Sequence, residues 1–143
     1  KLFTAVANGL KFYTKGTSGF VSVNDVVNLL IMAMSKIDEK ENGQRYIAIE
    51  KNYSYETIFN EIAIALKVGK PKFYAAYWQT ELAWRWNWLT SILLNKKRMI
   101  SKETMRSSHQ LDCYSNEKAR HQFDYQFKNV PSYISEIGRL YTK

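Results

Sequence analysis

The chain has 143 residues, enough for one domain with a real core and too few for two ordinary ones. Apolar residues make up 45% and charged residues 24%, a balance that excludes an intrinsically disordered chain. The net charge of +8 attracts anions, but the 21 Lys and Arg are scattered, with one tight cluster at Lys96-Lys97-Arg98, and no zinc spacing, RNP-like strand or long basic arm specifies nucleic acid.

The opening "KLFTAVANGL" has no initiator Met and begins inside a helical pattern, so it reads as part of a longer protein. Residues 2–7 are predicted helical, ended by Asn8-Gly9. Two short strands follow, 12–14 and 19–23, joined by a polar turn over Lys15-Gly16-Thr17-Ser18-Gly19. Asn24 or Asp25 then caps a helix reaching about Ser35, so apolar all round that it should be central and buried.

After the polar loop "IDEKENGQ", the alternation in "RYIAIE" predicts a half-buried strand over 45–50. Ser54 caps an amphipathic helix with Tyr55, Ile58, Phe59, Ile62 and Leu66 at helical spacing and Gly69 at its end. "GKPKFYAAY" is a loop with a short extended piece. A helix over about 78–95 carries Trp78, Trp84, Trp86 and Trp88. Ser101 and Ser115 cap two further short helices, and the C-terminal helix has Pro131 in its first turn. The expected class is α+β, mostly helical with a few short strands.

Cys113 is the only cysteine, which excludes an intramolecular disulfide and favours a reducing compartment. The longest apolar run, Val26 to Met34, is far short of the ~20 residues that cross a bilayer, and no signal segment precedes it. A cytoplasmic location is therefore expected.

The residues offer no catalytic pair and no metal-ligand set. His109 and His121 lie on separate polar helices and read as surface residues. Asp25 at a helix start reads as a cap. "KGTSG" lacks the ending of a phosphate loop and lies between two strands. Four Trp within eleven residues exceed what one buried stripe can face, so at least one ring should meet a cavity or a partner.

Three blocks carry a resemblance. "GFVSVNDVVNLLIMAM" resembles the "(R/N)-x-F-V-x-V-x-D-V-A" stretch of extended short-chain dehydrogenases/reductases, the NAD-dependent epimerase/dehydratase family, with Phe20, Val21, Val23, Asp25 and Val26 on motif positions. "GQRYIAIEKNYSYETIFNEIAIALKVGKP" looks like that family's next block, a strand and a Ser-capped helix. "YSNEKARHQFDYQFKNVPSYISEIGRLY" is similar to its ending, with Lys118-Ala119 on the Lys-Ala pair. The blocks occur in the family's order over residues 12 to 141.

The resemblance implies the C-terminal substrate-binding lobe of a Rossmann-type enzyme, one domain over 1–143, whose N-terminal half is absent. The glycine-rich NAD fingerprint and the Tyr-x-x-x-Lys motif have no counterpart; Tyr114 to Lys118 belongs to the ending block. No catalytic, cofactor-binding or metal residue is therefore expected within the chain, and NAD or NADP is implied for the full-length protein only. The turn before the Phe-Val strand faces substrate in that family, which implies Lys15, Thr17 and Ser18 as substrate-binding residues. Ser18 stands where sugar-nucleotide epimerases often carry Arg, which favours a dihydroflavonol-reductase-like enzyme with an uncharged substrate. The expected partners are a small-molecule substrate and the missing half, with a homo-oligomer open, no membrane and nucleic acid disfavoured. A reading from another class also stays open: a free-standing basic module that binds an acidic partner or nucleic acid through the Lys96 to Arg98 region and exposed aromatics.

Overall fold

The computed structural model describes residues 1–36, 43–93 and 102–141. In chain order the elements are α1 (Leu2–Ala7), β1 (Phe12–Tyr13), β2 (Thr17–Phe20), α2 (Val23–Lys36), β3 (Lys51–Ser54), α3 (Tyr55–Leu66), β4 (Phe73–Tyr74), α4 (Tyr77–Leu93), α5 (Lys102–His109), α6 (Glu117–Phe123) and α7 (Val130–Tyr141). The class is α+β and mostly helical. Among the described residues four short strands form two pairs, β1 parallel to β4 and β2 antiparallel to β3.

The core forms where α3 meets α1 and α7. Ser54 Oγ accepts the Thr57 N–H at 3.1 Å and starts α3, as its position before the apolar spacing predicts. Ile58, Ile62, Ala63 and Leu66 then fall on one face and pack with Val6, Val130 and Ile134. Full burial of each large side chain contributes about 1.5–3 kcal/mol. The helix stops at Leu66, not at Gly69, because Lys67 takes a left-handed conformation (φ 56°) that lets the Lys67 and Val68 N–H groups reach back to Ile64 and Ala63. Helix α7 is capped by Asn129, whose Oδ1 accepts the Ser132 N–H, and Pro131 sits in its first turn as expected. Gly138 gives α7 its close approach to α3: a Cβ there would lie 2.6 Å from Ala65 Cβ.

The strands differ from their predicted positions. Residues 17–20, expected mainly as a turn, are strand β2, paired with β3 in the register Thr17↔Ser54 to Phe20↔Lys51. Gly16 and Gly19 are there for packing. A Cβ on Gly16 would lie 2.3 Å from the Ser108 carbonyl oxygen, and one on Gly19 would lie 2.6 Å from Ile49 Cγ2. Residues 45–50 form no strand. The chain on the β2 side turns into a helix after Phe20, so the ladder has no partner beyond the Glu50 N–H to Phe20 carbonyl bond.

Helix α2 departs most from expectation. Its cap is Ser22, fully buried, whose Oγ accepts the Asp25 N–H at 3.0 Å. Asp25 is turned inward instead. The helix is not central: Leu29 is buried, but Val23, Val27, Leu30, Ile31 and Met34 are exposed, Leu30 by 60% and Met34 by 88%. An apolar composition states that a face needs cover; it does not state that this chain supplies the cover. Helix α6 begins at Glu117 behind Asn116 rather than behind Ser115, although Ser115 Oγ does accept the Glu117 N–H at 3.3 Å. The Ser101 cap lies outside the described residues, as does the Lys96-Lys97-Arg98 cluster.

Candidate functional site

Strand β2 lies between two segments that are distant in sequence. On one edge β2 pairs with β3; on the other, Thr17 bridges to Leu111 in parallel. The Thr17 N–H donates to the Gln110 carbonyl (2.9 Å), the Asp112 N–H to the Thr17 carbonyl (3.2 Å), and Thr17 Oγ1 to the Asp112 carbonyl (3.1 Å). Asn52 extends the seam by imitating a strand partner. Its Nδ2 donates to the Tyr114 carbonyl (2.8 Å), and its Oδ1 accepts the Tyr114 N–H (3.0 Å). Asn116 Nδ2 donates to the Ile49 carbonyl (2.7 Å). Segments more than 60 residues apart are thus held by backbone and amide groups with complete geometric demands.

The loop between β1 and β2 is Thr14-Lys15-Gly16, at the carboxyl ends of β1 and β4. Aromatic pairs stiffen that strand pair: Phe12 with Phe73 (5.8 Å) and Tyr13 with Tyr74 (6.1 Å). Burial and the nearby Glu56 carboxylate push the Tyr13 phenol up, so it stays protonated. Lys15 Nζ lies 4.9 Å from the centre of the Tyr74 ring. The end of α5 abuts Gly16 and carries His109, whose ring is edge-on to Tyr77 at 5.4 Å. Thr80 Oγ1 donates to the Tyr77 carbonyl at 2.8 Å, so in the 2.9 Å contact with His109 Nε2 the imidazole is the donor. Burial pushes the His109 pKa down.

Of the residues expected to meet substrate, Lys15 is in the loop at this strand end. Thr17 is on β2 with its hydroxyl proton committed to Asp112. Ser18 is opposite Tyr53 in the ladder, and successive strand residues face opposite sides, so Thr17 and Ser18 do not share a face. The structure therefore joins Lys15 with Tyr74, and separately groups Tyr77, Thr80 and His109 where α4 meets α5. His109 is half-buried between α4 and α5, not a surface residue as its polar helix suggested. Nothing in the local sequence marks Tyr74, Asn52 or Asn116, because each finds its partner about 60 residues away.

Cavities also lie elsewhere among the described residues. One of about 350 Å³ is lined by Gly9, Lys11, Lys70, Lys72 and Phe73 at the amino ends of β1 and β4. A polar one of about 220 Å³ is lined by Glu50, Asn116, Arg120, Gln126 and Phe127. Ligands of parallel strands sit beyond the carboxyl ends, which favours the Lys15 end over the first cavity. Among the described residues no three His, Cys, Asp or Glu side chains group to hold a metal ion.

The turns at this strand end have the following form. The turn after β1 enters another strand rather than a helix, and the turn after β4 is Ala75-Ala76, where the side chain of Gln79 already accepts the Ala76 N–H at 2.9 Å.

No protein-family model matches the chain, and no curated protein matches it in sequence. The crystal structure of gox2253 is similar in fold, with a TM-score of 0.67 and 16% identity over 94% of this chain. The match spans 40% of that chain's length. At that identity the likeness concerns the fold alone.

Proposed function

We propose that the chain is the substrate-binding C-terminal part of an NAD(P)-dependent epimerase/dehydratase or reductase, a short-chain dehydrogenase/reductase acting on a carbonyl or hydroxyl group, and that it is inactive alone. The observation that carries this reading is the seam along β2. The quoted blocks are distant in sequence: Gly19 and Phe20 of the first pair with Asn52 and Lys51 of the second, and Asn52 and Asn116 tie the second to the third. Two further features support it. The chain matches 40% of a longer chain, leaving room for a second unit. The stripe of Val23, Val27, Leu30, Ile31 and Met34 on α2 is an apolar face of the kind a neighbouring unit covers.

In this reading the dinucleotide belongs to the other unit, which supplies hydride chemistry and the proton-transferring Tyr and Lys. This chain's share is to orient the substrate. Lys15, held over Tyr74, and the hydroxyl of Thr80 beside His109 border the place where it would lie. A single flexible ammonium suits a substrate without a diphosphate.

The reading frame upstream of Lys1 provides the first test. It should encode a Gly-rich strand–turn–helix and a Tyr-x-x-x-Lys motif; a frame without them overturns the proposal. The protein it encodes should oxidise NADH or NADPH with small carbonyl substrates, and Lys15→Met should raise KM more than it lowers kcat.

A further inference from the structure

Helix α4 leaves several large apolar side chains uncovered. Trp78 is 63% and Trp86 70% exposed, and Leu82, Trp88 and Leu89 are exposed beside them. On a helix of 3.6 residues per turn these five side chains fall within an arc of about 160°. Glu81 and Arg85 lie inside the same arc, joined by an ion pair of 3.1 Å, so the face carries no net charge. Helix α5, which packs on α4, presents Lys102 and Arg106 to solvent.

We propose that this face of α4 docks the chain on the surface of an anionic lipid bilayer, lying in the headgroup region rather than across the membrane. Trp is the side chain that prefers this region, because its ring is amphipathic and its N–H can still be hydrated. The neutral face enters without burying an unpaired charge. The chain's net charge of +8 then supplies attraction to acidic headgroups, which a second copy of the same cation would lack. Among the described residues no helix is long and apolar enough to cross a membrane, which is consistent with interfacial seating. The expectation of no membrane partner rested on the lack of a span, and a peripheral contact needs none. Lipid docking through α4 is independent of the enzymatic role, and either can fail alone.

All four Trp lie on α4, so selectively excited Trp fluorescence reports on this helix alone. The 143-residue chain is floated with phosphatidylcholine vesicles, with and without about 30% phosphatidylserine, at low and moderate salt. The expected result is flotation with the acidic vesicles, weakened by salt, with a blue-shifted Trp emission quenched by lipids brominated near the headgroup. The double variant Trp78→Ser/Leu82→Ser should keep its helical circular dichroism and lose about tenfold in partitioning. Absence of flotation overturns the proposal. Undiminished flotation of the variant without bromolipid quenching in the wild type also overturns it, since charge alone would then act. A lipid-independent dimer that the double variant dissolves overturns it in favour of an interface between copies.

Discussion

Asp25 Oδ1 accepts the hydroxyl of Tyr125 at 2.8 Å across 100 residues of sequence. Its other oxygen accepts the Lys128 N–H at 3.0 Å, and Asp25 itself is only 4% exposed. Asn28, one turn along α2, donates to the same phenol oxygen at 3.2 Å. A residue that reads as a helix cap is therefore the tie between α2 and the segment ahead of α7. Burial, reinforced by the Asp25 carboxylate, pushes the Tyr125 phenol up despite the opposing Asn28 bond, so the donor is retained at neutral pH.

Tyr125→Phe should cost about 1.5–3 kcal/mol, the range of a hydrogen bond to a charged group. Asp25→Ala should cost more, since it strands the phenol and the Lys128 N–H together. Urea unfolding of both variants checks the order; equal stability of Tyr125→Phe and wild type would show the bond to be idle.

Gly138→Ala tests the contact of α7 with α3. Helix propensity alone would make Ala better by about 1 kcal/mol. The structure predicts the opposite sign, because the new Cβ meets Ala65 Cβ at 2.6 Å and the Ala65 carbonyl oxygen at 3.0 Å. Overpacking of this kind costs about 1–3 kcal/mol. Thermal unfolding that shows stabilisation would refute the close approach.

Leu30→Ala and Ile62→Ala separate an uncovered apolar residue from a core one. Ile62 is 1% exposed, and its truncation should cost about 2–5 kcal/mol. Leu30 is 60% exposed, so its truncation should stay within about 0.5 kcal/mol in this chain. A loss at Leu30 as large as at Ile62 would mean that α2 is covered even in the isolated chain, for instance by self-association, which sedimentation would detect.

His109 predicts a pH dependence. Burial lowers its pKa below the ordinary value of about 6.5, so the unfolded chain binds a proton more readily than the folded one. The stabilising effect is complete above about 6.5 and is lost as pH falls through the lowered folded value. The melting temperature should therefore drop between about pH 7 and pH 5, and His109→Gln, which keeps a donor for Thr80, should drop less. Parallel pH profiles of the two proteins would count against the assignment.

Local chemistry was enough to read α1, α3, α4 and α7 from the sequence: each has its own periodicity, cap or Pro, and these act within one or two turns. The α+β class followed from the same signals. What the sequence left open was everything that depends on a distant partner. A strand exists only where another strand faces it, so residues 17–20 and 51–54 became the ladder while the better alternating run at 45–50 did not. The glycines of "KGTSG" read as turn formers, and the close approach of Ser108 and Ile49 made them contact points instead. Asp25, Asn52 and Asn116 look like helix-start and loop residues until their partners at 49, 114, 125 and 128 arrive. Burial of α2 was decided the same way. Composition shows that a surface is apolar, but only the packing of the whole chain determines which apolar surfaces are covered and which are left for something else to cover.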